Sequence, residues 1–139
     1  MNLACSQLRG IIVCSVQHDS LVHYDAYYVK AQKARTVIRD EFNRVFNDFD
    51  VVVSPTTPTP AFAFGSQADP MKMYLNDLAT IPANMAGLPA MSLPCGAVNG
   101  MPVGVQLVGK ALDEETLFRA GAVFQKETQY HQARPGVLV

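Results

Sequence analysis

The chain has 139 residues and a mass of 15.1 kDa, of which 49% are hydrophobic and 17% charged. That is room for one domain on a prior of about 100–200 residues, and a composition too apolar and too varied for a disordered tail or a fibre. Eleven basic against twelve acidic residues leave a formal charge of −1, without the basic excess that gripping a phosphate backbone requires.

Residues 1–20 carry no sustained period of 3.6 or 2. From Tyr24 the pattern sharpens. Tyr27, Ala31, Ala34, Ile38, Phe42, Val45 and Phe49 recur at spacings of four and three, with Lys30, Lys33, Arg39, Asp40 and Arg44 between them. This predicts one long amphipathic helix ending near Asn47 and Asp48, with Asp25 suited to the positive end of its dipole. Val51, Val52 and Val53 form a short run of β-branched residues and read as a buried strand. Ser54-Pro-Thr-Thr-Pro-Thr-Pro60 then removes backbone donors at three positions, so a stiff extended loop is expected directly after Val53.

Met73, Leu75, Leu78, Ile81 and Met85 are loosely helical in spacing and interrupted by Pro82, which predicts one short helix or two. Residues 90–93 and 103–108 flank Asn99-Gly100, a dipeptide that tolerates positive φ, and read as an antiparallel hairpin. Val103, Val105 and Leu107 share one face of it and Gly104 and Gln106 the other. Gly104 reads as a close-packed strand position and Gly109 as a turn. Asp113 is placed to N-cap a last helix, with Glu114 and Glu115 in its first turn and Leu112 available to staple against Leu117. That helix should run to about Thr128. Residues 134–139 read as an untethered end. The order is that of a mixed α/β fold without repeats.

Cys5, Cys14 and Cys95 are odd in number and unevenly spread, which argues against a disulfide framework and for a reducing compartment, cytoplasm or organelle matrix. The apolar run at residues 11–14 is far short of the roughly 18–20 residues of a membrane span, so no membrane association is expected. None of Ser6, Ser15, Ser20, Ser54, Ser66 and Ser92 sits in a Gly-x-Ser-x-Gly elbow. Cys95 has no histidine in its own segment and reads as a small apolar residue at a strand end. Cys5, Cys14, His18 and His23 do not have the short loop spacing of a zinc knuckle, so no metal is expected. Glycine-rich phosphate cradles are missing as well.

Asp77 is the residue that asks for an explanation. It stands in the apolar, proline-bounded stretch Tyr74-Leu-Asn-Asp-Leu-Ala-Thr-Ile-Pro82, where an unpaired buried carboxylate would cost several kcal/mol. It is either a helix cap or structural hydrogen-bond acceptor, or a carboxylate in a cleft that receives an ammonium group. Asn84 carries the same ambiguity between holding its loop and touching a ligand.

Taken together, Tyr24-Asp-Ala-Tyr-Tyr28, Lys30-Ala-Gln-Lys-Ala-Arg35, the segment from Phe49 to Phe62, Asp69-Pro-Met-Lys-Met-Tyr-Leu-Asn-Asp77, Ile81-Pro-Ala-Asn-Met-Ala-Gly-Leu-Pro89, Pro94-Cys-Gly96 and the segment from Gly100 to Lys110 resemble the C-terminal part of the amidase signature family. Within it, Tyr74-Leu-Asn-Asp77 is most similar to the A-subunit branch of the aspartyl/glutamyl-tRNA amidotransferases. The resemblance runs from residue 24 to residue 131, leaving residues 1–23 divergent and 132–139 as a tail. It implies the C-terminal portion of an α/β fold, a mixed sheet flanked by helices, here incomplete.

The resemblance implies that the whole protein would hydrolyse glutamine to glutamate and ammonia, which partner B and C subunits would use to amidate glutamate or aspartate on a misacylated tRNA. The tRNA would be met only indirectly, through the B subunit, and no cofactor is implied. The family's nucleophilic serine, its second serine after a cis peptide bond, its lysine and its glycine-rich oxyanion hole all belong to the N-terminal part and have no counterpart here. The resemblance therefore implies no catalytic residue in this chain and no glutaminase turnover from it alone. One site carries over: Asp77 matches the acid expected to hold the α-ammonium of glutamine. The family's arginine for the α-carboxylate has no match in register before Tyr24, Arg9 being displaced. The other reading is a non-catalytic binding or assembly module derived from the same fold.

Overall fold

The computed structural model describes residues 28–65 and 70–134. Cys5, Cys14, His18, His23, Asp25, Tyr27 and the ends at residues 1–23 and 135–139 lie outside them.

Helix α1, Val29–Asp48, is the long helix its periodicity predicts. It ends where Phe49 turns extended, at φ −129°, while the Phe49 amide still donates to the Val45 carbonyl at 3.1 Å. Its buried stripe differs from the predicted one. Ala34, Ile38, Phe42 and Phe46 face inward, at a strict spacing of four, and the Phe42 and Phe46 rings stack with centroids 6.1 Å apart. Val45 and Phe49 face solvent, because continuing a four-residue step past Phe42 selects Phe46 and turns Val45 off the seam.

Strand β1, Val51–Pro55, runs two residues further than the proline pattern suggested. Pro55 pairs with Val105 at the edge of the sheet, one of the few places where a strand tolerates a missing N–H. Two short helices follow, α2, Pro70–Leu75, and α3, Ile81–Ala86. Pro82 does not break a helix. It sits in the first turn of α3, where its absent donor has no intrahelical partner to lose. Gly87 closes α3 in the left-handed region at φ 70°.

Strands β2, Ala90–Val98, and β3, Met101–Gly109, form the expected hairpin. Asn99 and Gly100 both take positive φ, 52° and 78°, the requirement of the mirror-image turn that matches strand twist. Cys95 is not at a strand end. It is the extra residue of a bulge between Pro94 and Gly96, with its thiol 3.6 Å from the Val103 carbonyl. The sheet order is β1-β3-β2, antiparallel throughout.

Helix α4, Glu114–Glu127, is capped by Asp113, whose carboxylate accepts from the Thr116 amide at 3.3 Å. Leu112 is no staple: it takes φ 62° and stands 91% exposed. Gly109 is the last residue of β3 rather than a turn, and a Cβ there would come within 3.0 Å of Leu117. A 3-10 turn, Tyr130–Gln132, ends the described chain, with the Tyr130 ring over Gly96.

Three layers result. On one face of the sheet Val108 packs with Phe46 of α1 and Ala83 of α3; on the other Leu93 and Leu107 pack with Leu117 of α4. The guanidinium of Arg35 donates to the Met85 carbonyl at 3.1 Å, tying α1 to the C-terminal end of α3, where a cation is favoured. Among the described residues no helix is long and apolar enough to cross a membrane.

Candidate functional site

The hairpin and β1 bring three polar side chains into one row. Ser54, Gln106 and Ser92 are opposite one another across β1, β3 and β2, on the sheet face that α3 covers. The hydroxyls of Thr56 and Ser92 meet at 2.6 Å. A Cβ on Gly104 would stand 2.9 Å from both oxygens, so the close-packed reading of Gly104 holds and the pair explains it.

Between this row and α3 lies a cavity of about 290 Å3, lined by Thr56, Ser92 and Gln106 from the sheet side and Thr80, Ala83 and Asn84 from the helix side. No charged side chain lines it. Hydroxyls and amides of this kind can orient a neutral polar group or water, and offer no nucleophile–base pair. Asn84 lies within α3 rather than in a loop, and its amide donates back to the carbonyl of the N-cap residue Thr80 at 2.9 Å while bordering the cavity.

Asp77 sits in the turn between α2 and α3, one helical step before Thr80. Its backbone carbonyl accepts from the amides of Thr80 and Ile81, at 3.1 and 3.0 Å, and from the Thr80 hydroxyl at 3.2 Å. The carbonyl thus does what the carboxylate was expected to do as a cap. Thr80 is the N-cap of α3 and makes no side-chain capping bond. The Asp77 side chain is exposed, is not among the cavity's lining residues and makes no hydrogen bond to the described residues. A carboxylate in that state is available to a cation arriving from solvent.

Sequence reasoning missed Thr56, Thr80, Ser92 and Gln106. Gln106 is only 5% exposed, yet alternation with Val105 and Leu107 marks it as an outward polar residue. Period 2 assigns a side, and only the presence of α3 makes that side interior.

Comparison with known proteins bears on most of the chain. Residues 11–118 match the family model described as Amidase. The chain is 54% identical over 114 residues to the A subunit of glutamyl-tRNA(Gln) amidotransferase from Geobacillus thermodenitrificans, covering 81% of this chain and 24% of that protein. A Synechococcus protein of the same description is likewise 54% identical, over 113 residues. The crystal structure of the Thermotoga maritima glutamyl-tRNA(Gln) amidotransferase A subunit superposes with a TM-score of 0.75 at 39% identity, over 94% of this chain and 28% of that one. A bacterial aryl acylamidase of the amidase signature family gives a TM-score of 0.62 at 26% identity, over 87% and 27%. The chain spans about a quarter of the length of the curated relatives it matches.

Proposed function

We propose, from the fact that this chain belongs to the amidase family, that it is the C-terminal part of the A subunit of a tRNA-dependent amidotransferase. The observation that carries this reading is the 54% identity to the glutamyl-tRNA(Gln) amidotransferase A subunit. The motifs that carry the reading lie within residues 24–131, the family match itself beginning at residue 11, and the 139-residue chain turns over no glutamine by itself. The reaction is hydrolysis of glutamine to glutamate and ammonia, with the nucleophile and its base supplied by the part of the domain that this chain does not cover. Ammonia then passes to the partner B and C subunits for amidation of glutamate on tRNA(Gln), in the cytoplasm or an organelle matrix, the tRNA being held by the B subunit.

In this reading Asp77 receives the α-ammonium of glutamine. Its exposed carboxylate supports the assignment, since a charge-assisted hydrogen bond gives orientation as well as affinity. The test is a chimera in which residues 24–131 replace the matching segment of the Geobacillus thermodenitrificans protein, assembled with its partners. Loss of a hydrogen bond to a charged group, about 1.5–3 kcal/mol, predicts that Asp77→Asn lowers kcat/KM for glutamine by about 10- to 100-fold, mostly through KM. Unchanged glutamine kinetics would remove Asp77 from the substrate site.

A further inference from the structure

We infer that Gln106 is a positioning residue: its side-chain amide ties the turn that carries Asp77 to the middle strand of the sheet and so sets where that carboxylate stands. Its functional meaning rests on the Asp77 reading above. Gln106 lies on β3, the strand paired on both sides and the most firmly held of the three. Its amide nitrogen donates to the Ala79 carbonyl at 2.9 Å and reaches the Ser54 hydroxyl at 3.4 Å. Ala79 lies within the turn that the Asp77 carbonyl closes onto Thr80 and Ile81.

The turn's own backbone bonds, from the amides of Asn76, Asp77 and Leu78 to the carbonyls of Met73, Tyr74 and Leu75, are local and shape it without tying it to the sheet. Asn76 accepts a long bond of 3.4 Å from the Thr59 hydroxyl, and Leu75 and Leu78 on either side of Asp77 are exposed rather than packed. A buried amide that donates to a loop carbonyl is costly to leave unmatched. This bond therefore resists displacement of the turn, and the alternation of β3 places the only buried polar side chain among the described residues at that point.

The test uses the 139-residue chain itself and reads amide hydrogen exchange at Thr80 and Ile81, corrected for intrinsic rates. Gln106→Glu keeps the shape but, when ionised, presents a carboxylate to the Ala79 carbonyl and has no proton to donate. Exchange at both amides should then rise by about 5- to 20-fold at pH 9, the loss of one buried bond. Protonation restores a donor, and burial raises the carboxyl above its ordinary range, so protection should return to near the wild-type level by pH 5. Amides of α4 should not respond. Gln106→Met removes the donor at every pH and should raise exchange throughout, which keeps the test decisive if the glutamate variant fails to fold at pH 9.

Wild-type protection of Thr80 and Ile81 in Gln106→Met, or a loss in Gln106→Glu that persists at pH 5, would overturn the tether. No glutamine enters the measurement. A failure here leaves the ammonium site standing, and flat kinetics for Asp77→Asn in the chimera leave the tether standing.

Discussion

At the scale of single residues, the site depends on a side chain that is missing. Gly104 leaves room for the Thr56–Ser92 hydroxyl pair, and a methyl group there would press on both oxygens at 2.9 Å. Gly104→Ala should destabilise the chain by about 1–3 kcal/mol, the usual cost of overpacking, measured by urea unfolding. Adding Ser92→Ala removes one of the two oxygens in the way, so the double variant should lose less than the sum of the two single changes. The close packing of Gly104 was legible from its place in an alternating strand. The hydroxyl pair was not, because Thr56 and Ser92 lie 36 residues apart and nothing local joins them. Asp77 drew notice for being an acid among apolar neighbours, whereas Gln106 drew none, since a glutamine in an alternating strand is ordinary on an exposed face.

At the scale of elements, local chemistry was the most readable layer. The Asn99-Gly100 turn and the Asp113 cap depend on backbone conformations or side-chain oxygens that only a few residue types supply. Asp113→Ala should lower stability by about 1 kcal/mol, seen as a lower urea midpoint at unchanged slope, whereas Asp113→Asn should keep most of the cap. Features set by neighbours were less readable. The seam of α1 passes through Phe46 because α3 and β3 meet it there, and the spacing of α1 alone allowed Val45 equally. Pro55 continues β1 because that strand lies at an edge, which depends on sheet order. The bulge at Cys95 also shifts the phase of alternation, so Ser92 and Gly96, four residues apart, belong to opposite faces.

At the scale of the molecule, three strands carry helices on both faces but cannot cover them. Val53 is 61% exposed, Phe118 on α4 67% and Val123 57%, and both β1 and β2 have one unpaired edge in the described sheet. Open edges beside uncovered apolar groups favour association. Sedimentation equilibrium over about 5–100 µM, a range in which contacts of roughly 5.5–7 kcal/mol are half-formed, should show a mean mass rising above 15.1 kDa. A constant monomer mass with a sharp cooperative melt would contradict this. The sheet order also bears on synthesis. The central strand β3 is the last of the three to be translated, and Val53 must wait for Leu107. At about 5–20 residues per second, β1 leaves the ribosome roughly 3–10 s before its only partner in the described sheet exists. Throughout that interval its valines have no strand of this sheet to join, and shielding them falls to a chaperone or to segments already made.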